Sequence, residues 1–166
     1  KGNATYSEGV YAVAMDPNTG SILALAGVKH DLETGEISAD ALGTITNVFV
    51  PGSVVKAATL TAGWQSGAIS GNQSFVDQPI LFAGSAPINS WFTVYGSRSI
   101  TAVEALEYSS NTYMVQLALN MLGTPYSPNM ALGTNNVDAS MKKLRSTFAE
   151  YGLGIETGID LPTEST

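Results

Sequence analysis

Two serines in this sequence are each followed, three residues later, by a lysine that could accept the proton of the serine hydroxyl. Ser53 and Lys56 lie in FVPGSVVKAA, and Ser140 and Lys143 lie in DASMKKLRS. A serine hydroxyl attacks efficiently only when a base removes its proton. Side chains at this spacing on a helix lie one turn apart on the same face. Either pair could therefore support acyl transfer, and the spacing alone does not choose between them.

The residues around each pair favour Ser53 as the nucleophile. A lysine acts as a base near neutral pH only where desolvation or nearby cations lower its pKa. The neighbours of Ser53 in the sequence are apolar: Val54, Val55, Ala57 and Ala58. Pro51 and Gly52 precede a predicted helix, whose first N–H groups and positive end could stabilise an oxyanion. Charged residues crowd Ser140, as is typical of a solvated helix face, so we expect Lys143 to stay charged and exposed.

A second group would have to relay protons and hold an amide substrate, and Ser-x-Asn sequences are candidates for it. Such sequences begin at Ser70, Ser109 and Ser127. The first and third lie among Gly or Pro, where Ser and Asn are ordinary turn residues. Only Ser109 and Asn111 lie at a junction between two predicted helices. Spacing alone favours a helix N-cap there, in which Ser109 or Asn111 accepts hydrogen bonds from helix N–H groups.

The remaining candidates for chemistry are weaker. His30 is the only histidine, so a Ser-His-Asp arrangement would have to use it. It lies in the polar stretch KHDLETGE, where we expect a solvated surface role. Without cysteines or a second histidine, metal binding is poorly supported. Trp91 is predicted to anchor the long loop around it, and lining a groove is its alternative role.

The composition indicates one soluble domain. The 166 residues are 44% hydrophobic, enough for a core, and the net charge of −7 argues against a nucleic-acid partner. The absence of cysteine excludes thiol chemistry and disulfides. The longest apolar run, residues 22–28, is too short to span a bilayer. The sequence shows no signal peptide, and we interpret it as part of a longer protein.

Local patterns then place the candidates on secondary structure. Apolar runs at residues 9–14 and 21–28, joined by the turn sequence MDPNTGS, predict a β-hairpin that needs further layers to cover it. Residues 29–40 are polar and predict a surface loop. Residues 53–65 predict a helix that ends before Gly67, and residues 71–99 predict a long irregular connection.

The second half of the sequence predicts three further helices. Thr101 and Glu104 form a capping-box pattern, and residues 109–122 predict the next helix, closed by Gly123. Asn136 is predicted to cap the last helix, which ends at Gly152. The apolar stripe of that helix is Val137, Met141, Leu144 and Phe148. The whole pattern is that of an α+β protein in which helix predominates.

Three segments together carry a family resemblance. PGSVVK, then YSSN, then YGLGIETGIDLP resemble the transpeptidase domain of class B penicillin-binding proteins, in particular the 2B type of Gram-positive cocci. VYAVAMDPNTGSILALAG resembles the hairpin that opens that domain. The resemblance implies that residues 1–166 are the N-terminal portion of one domain of the α+β, serine β-lactamase-like fold. That portion would hold one β-hairpin (about 9–28) and a mostly helical subdomain (about 53–152), without the remaining sheet strands.

The resemblance also implies roles for individual residues. The family motifs are S-x-x-K, S-D-N and K-T-G, with a serine nucleophile and a disputed acylation base. Ser53 would be the acylated nucleophile and Lys56 its general base. Ser109 would relay a proton towards the leaving amine, and Asn111 would hydrogen-bond the substrate amide. The oxyanion hole would use the Ser53 N–H and one further N–H from a strand.

The third motif is missing from these residues. No Lys-Thr-Gly or Lys-Ser-Gly occurs, and Thr157 and Gly158 follow Glu156 instead of a lysine. In the family this motif lies on a strand that follows the helical region. The resemblance therefore implies that the chain alone is inactive and that its partner is the C-terminal remainder of the same domain.

The function implied is that of a D,D-transpeptidase, which cross-links peptidoglycan stem peptides through an acyl-serine and is the target of β-lactam antibiotics. No cofactor is implied. The location implied is the outer face of the cytoplasmic membrane, with an N-terminal anchor outside residues 1–166 and other cell-wall synthesis proteins as partners. One alternative is a serine β-lactamase, whose deacylating water would need a base such as Glu150 or Glu156. Another is a non-catalytic β-lactam-binding receptor or assembly module.

Overall fold

A computed structural model describes residues 6–133 and 137–161 of the chain. Its strands are β1 (Gly9–Met15), β2 (Ile22–His30), β3 (Ile37–Ala39), β4 (Ser74–Asp77) and β5 (Arg98–Thr101). Its α-helices are α1 (Gly43–Thr46), α2 (Lys56–Gln65), α3 (Ala102–Glu107), α4 (Asn111–Met121) and α5 (Val137–Glu150). Short 3₁₀ turns cover Gly52–Val55 and Thr93–Tyr95. In the ranges described, no helix is long and apolar enough to cross a membrane.

The chain contacts divide into two compact units, one of which consists of residues 1–50 and 156–166. In this unit β1 and β2 form the predicted antiparallel hairpin, with a register irregularity at the end of β1. The Asp16 carboxylate accepts a hydrogen bond from the Asn18 N–H at 2.8 Å, and Gly20 has a φ of 74° that glycine adopts without strain. Local turn chemistry thus closes this hairpin.

The predicted surface loop at residues 29–40 is wrong at both ends. β2 continues to His30, and β3 pairs with it in antiparallel register, so that His30 opposes Ile37. Only the connection between them is a turn, held by the Asp31 carboxylate, which accepts the Glu33 and Thr34 N–H groups at 2.8 and 2.9 Å. Polar residues can form a strand here because pairing of the backbone, and not burial of side chains, defines it.

The second unit, residues 51–155, contains α2 to α5 and the pair β4–β5. Its buried core is formed by Leu60, Ile69, Phe92, Ile100, Ala102, Ala105, Tyr113 and Leu117. Helices α2 and α4 approach closely at Gly63, where an added Cβ would lie 2.5 Å from Leu117 Cδ1. This contact joins the helix that follows Ser53 to the helix that begins with Asn111.

The irregular connection predicted for residues 71–99 is partly wrong, since β4 lies within it and β5 begins within it. These strands pair in antiparallel register, with Ser74 opposite Thr101 and Asp77 opposite Arg98. The capping box is confirmed: Thr101 Oγ1 accepts the Glu104 N–H at 3.2 Å, and Glu104 Oε2 accepts the Thr101 N–H at 2.8 Å. Helix α3 thus begins directly where β5 ends, which sets the direction of the chain towards Ser109.

Helix α5 forms as predicted, but it buries a different face. Of the predicted apolar stripe Leu144 is buried, whereas Met141 is 42% exposed. Ser140, expected on a solvated face, is 7% exposed, while Lys143 is exposed as expected. Small and polar residues suit this face because α5 packs on α2, and Thr147 Oγ1 donates to Gln65 Oε1 at 2.9 Å. The predicted cap Asn136 lies outside the described residues.

Candidate active site

Ser53 lies in the short 3₁₀ turn that leads into α2. Gly52 precedes it with a φ of 59°, a conformation that residues with a Cβ adopt only with strain. The Ser53 side chain is exposed, and its carbonyl accepts the Lys56 N–H, which continues the turn into the helix. The Pro-Gly sequence therefore presents a serine at the start of α2, with Lys56 one turn later.

Lys56 is the buried centre of the site. The residue is 8% exposed, and its Nζ donates to Asn111 Oδ1 at 2.8 Å. It also donates to Ser109, to the carbonyl oxygen at 2.7 Å and to Oγ at 3.0 Å. These three bonds use the three protons of an ammonium group. Burial lowers the pKa of Lys56 below its ordinary value of 10.5, because an ammonium loses hydration there.

Ser109 connects Lys56 to Ser53. Its Oγ accepts from Lys56 Nζ and donates to Ser53 Oγ at 3.1 Å. The two partners are far apart in the sequence, and the packing of α2 against α4 brings them together. A continuous hydrogen-bonded path therefore runs from the buried amine to the exposed serine.

The backbone of Ser109 is unusual. It has a φ of 52°, in the left-handed region that favours glycine. The Ser110 N–H donates to Ala105 O at 2.8 Å, and the Ser109 N–H donates to Leu106 O at 3.1 Å. These two bonds form a Schellman motif at the end of α3, with Ser109 at the position where glycine is usual. The conformation directs both the carbonyl and the hydroxyl of Ser109 to Lys56.

The N-cap role that spacing favoured for Ser109 or Asn111 is wrong. Ser110 is the N-cap of α4, and its Oγ accepts the Tyr113 N–H at 2.9 Å. The side chain of Asn111 instead accepts from Lys56 and donates through Nδ2 to Asn89 O at 3.2 Å. Because Ser110 caps the helix, the residues on either side of it are available to contact Lys56.

The apolar neighbours of Ser53 do not enclose it as expected. Val54 is 82% exposed, and Ala57 is exposed too, although Ala58 is buried. What removes water from Lys56 is the junction between α3 and α4, which supplies all three hydrogen-bond acceptors of its amine. Desolvation of this lysine is thus a product of tertiary packing.

Trp91 anchors its loop, as predicted. Its indole Nε1 donates to Tyr108 O at 2.7 Å, while 66% of the residue stays exposed. The Arg98 guanidinium lies 4.5 Å from the centres of both the Tyr108 and Phe92 rings. These contacts hold the residue that precedes Ser109. Arg98 was not among the residues predicted from the sequence, although the aromatic-rich segment INSWFTVY just before it indicates a packed region.

The competing candidates lie elsewhere. His30 ends β2 and is not in a loop, and its Nδ1 is 3.0 Å from Ser7 O. Ser140 is buried while Lys143 is exposed, unlike the pair at Ser53. Within residues 6–133 and 137–161, no group of three or more His, Cys, Asp or Glu is placed to hold a metal ion.

Glu150, a candidate base for a deacylating water, lies at the opposite end of α2 from Lys56. Its Oε2 accepts from Gln65 Nε2 at 3.0 Å. Gln65 is the last residue of α2 and Lys56 the first, which separates them by roughly 14 Å along the helix axis at about 1.5 Å per residue. Glu150 is therefore not placed to activate water at Ser53.

Comparisons with known proteins agree on one family. Residues 10–166 match the penicillin binding protein transpeptidase domain. The chain is 67% identical to penicillin-binding protein 2B of Streptococcus pneumoniae strain D39 over 99% of its length, and 41% identical to penicillin-binding protein H of Bacillus subtilis over 93%. It covers 24% and 21% of those two proteins, about a quarter of their length or less.

Solved structures give the same result. Penicillin-binding protein 2B from S. pneumoniae strain 5204 superimposes with a TM-score of 0.92 at 65% identity, over 99% of this chain and 27% of that one. The protein from strain R6 also gives a TM-score of 0.92, at 67% identity. The predicted resemblance and the predicted α+β fold, part of the transpeptidase fold, are confirmed.

Proposed function

The chain belongs to the penicillin-binding protein transpeptidase family, and from this premise we propose that Ser53 is the acylated nucleophile of a D,D-transpeptidase. The chain spans about a quarter of its relatives' length, so the activity proposed is that of the whole protein. Lys56 is the proposed general base, Ser109 the proton relay, and Asn111 the group that binds the substrate amide. The third motif and the second oxyanion donor would come from the C-terminal remainder of the domain.

The observation that carries the proposal is the hydrogen-bonded path from Lys56 through Ser109 to Ser53. A neutral lysine has two N–H donors and one lone pair. The two donors can stay on the Ser109 carbonyl and on Asn111 Oδ1, which directs the lone pair at the Ser109 hydroxyl. Ser109 then gives its proton to Lys56 and receives the proton of Ser53. The lowered pKa of Lys56 makes this neutral form accessible at lower pH.

In the proposed reaction, Ser53 Oγ attacks the carbonyl carbon of the penultimate D-alanine of a peptidoglycan stem peptide. The new C–O bond forms, and the C–N bond to the terminal D-alanine breaks as its nitrogen takes a proton from Lys56 through Ser109. An amine of a neighbouring stem then attacks the ester, returns a proton to the relay and releases Ser53 with the cross-link formed. A β-lactam would acylate the same serine.

Exchange of one hydrogen bond would admit the substrate. Asn111 Nδ2 donates to Asn89 O at 3.2 Å, and a substrate carbonyl could replace that acceptor while Oδ1 stays on Lys56. The Ser53 N–H, in the first turn of its 3₁₀ segment, would be one oxyanion donor. From family membership we extend the proposal to a position on the outer face of the cytoplasmic membrane, beside other cell-wall synthesis proteins.

The test is covalent labelling of the full-length protein by a fluorescent penicillin. We expect one stable adduct on the Ser53 peptide and none in Ser53→Ala. Ser140→Ala, which alters the other Ser-x-x-Lys pair, is the matched control and should label as the wild type does. Equal labelling of Ser53→Ala would overturn the assignment, and rapid loss of the adduct with release of hydrolysed drug would favour a β-lactamase.

A further inference from the structure

A second cluster of polar groups lies directly beneath the Ser109–Asn111 segment and takes no part in the proposed proton path. Asp77, the last residue of β4, has a relative exposure of 0%. Its Oδ2 accepts hydrogen bonds from Ser90 Oγ at 2.9 Å and from Ser110 Oγ, and its Oδ1 has no partner. A buried carboxylate that is only half satisfied costs stability, which raises the question of what its position provides.

The two hydroxyls that contact Asp77 hold the first turn of α4. Ser90 Oγ accepts the N–H groups of Asn111 and Thr112 at 3.1 and 3.3 Å. Ser110 Oγ accepts the Tyr113 N–H at 2.9 Å. The first three N–H groups of the helix, which have no partner within a helix, are therefore satisfied by two serines.

Asp77 determines how those hydroxyls are used. A hydroxyl has one proton and two lone pairs. When each serine gives its proton to Asp77 Oδ2, its lone pairs face the helix N–H groups. Without that acceptor, either proton could turn towards another oxygen. The nearest example is the hydroxyl of the other serine, because Ser90 Oγ and Ser110 Oγ lie 3.1 Å apart. The carboxylate thus keeps both hydroxyls in the acceptor orientation that α4 requires.

The first turn of α4 in turn places the catalytic groups. Asn111 is the first residue of α4, and Ser109 directly precedes the N-cap Ser110. Both side chains contact Lys56, at 2.8 Å for Asn111 Oδ1 and 3.0 Å for Ser109 Oγ. A shift of this turn would lengthen both bonds together. We propose that Asp77 is a positioning residue for acyl transfer: through Ser90 and Ser110 it fixes the helix start that aligns Ser109 and Asn111 with Lys56.

This inference rests on the proposed function, and its test separates the two. The full-length protein is treated with a labelled penicillin at several concentrations, which resolves the first-order acylation rate at saturation from the non-covalent binding constant. For Asp77→Ala we expect the first-order acylation rate, calculated per molecule able to react, to fall by about 10- to 100-fold. A displacement of catalytic groups by about 1 Å can have an effect of that size.

Asp77→Asn is the conservative variant. Both serine protons go to the same oxygen, so an amide oxygen in the place of Oδ2 can accept both, with the NH₂ group in the place of the unpartnered Oδ1. We therefore expect Asp77→Asn to react within about threefold of the wild type, because the hydrogen-bond geometry is kept. Equal loss in the Asn and Ala variants would contradict a role through hydrogen-bond acceptance.

Thr147→Val is the control for stability alone, since it removes a buried hydrogen bond between α5 and α2 and should leave the rate unchanged. If Asp77→Ala does not fold, Ser90→Ala replaces it, because that variant removes two contacts to the helix start and leaves the carboxylate bound to Ser110. A wild-type acylation rate in folded Asp77→Ala, or in Ser90→Ala where it takes that variant's place, overturns the proposal that Asp77 acts through Ser90 and Ser110. Failure of the wild type to label at Ser53 would instead overturn the proposed function.

Discussion

Replacing Ser109 by glycine should remove activity but leave the protein more stable than replacing it by alanine does, and this comparison isolates the backbone as the cause. Ser109 adopts a φ of 52° at the glycine position of a Schellman motif. Both Ser109→Gly and Ser109→Ala delete the hydroxyl that joins Lys56 to Ser53. They differ only in whether a Cβ remains on a left-handed residue.

The expected difference follows from two opposing contributions. The left-handed conformation costs a residue with a Cβ roughly 1–2 kcal/mol, which glycine avoids. Glycine loses roughly 0.5–1 kcal/mol more backbone entropy than alanine when the chain folds. Taken at their midpoints, these contributions make the Gly variant more stable than the Ala variant by about 0.75 kcal/mol, so the Gly variant should have the higher melting temperature.

The assay pairs thermal melting with penicillin acylation of the full-length variants. Acylation should fall by about 100-fold or more in both, since each loses the proposed general acid–base relay. The reasoning is refuted if the Ala variant melts at or above the temperature of the Gly variant, because Ser109 would then hold no backbone strain. It is refuted equally if either variant reacts as fast as the wild type.

Two further predictions concern α2. Burial lowers the pKa of Lys56 below 10.5, so at a pH between the lowered and the ordinary pKa the unfolded chain binds more protons than the folded chain. The free energy of unfolding and the acylation rate should therefore both rise with pH as Lys56 loses its proton. A Lys56→Met variant measured across the same pH range should show neither rise. Gly63→Ala should destabilise the domain by about 1–3 kcal/mol, because its Cβ would overlap the fully buried Leu117. The measurement is chemical denaturation. The control is Gly133→Ala, whose Cβ would meet no atom within 4 Å and whose free energy of unfolding should stay within about 0.5 kcal/mol of the wild-type value.

Local chemistry could be predicted from the sequence because it depends on residues close together in the chain. The hairpin at residues 9–28 follows from its turn residues, and the capping box of Thr101 and Glu104 follows from two side chains three positions apart. The Pro-Gly pair predicted the start of the helical segment at residues 53–65, although its first residues form a 3₁₀ turn. The family, too, was recognisable from short segments. The same local reasoning misjudged β3 and β4, whose strands depend on a partner elsewhere in the chain.

The site itself was decided by tertiary structure. The spacing of Ser109 and Asn111 does not show whether either residue caps a helix. The left-handed backbone of Ser109 excludes it, because it gives the capping position to Ser110 and leaves both side chains to contact Lys56. Asp77 lies 33 residues from Ser110 in the sequence and becomes its hydrogen-bond partner only when β4 packs beside α4. The sequence by itself determined which residues could react. Only packing determined which of those residues are joined to the buried amine of Lys56, since the desolvation of that amine and the alignment of its partners are properties of the folded chain.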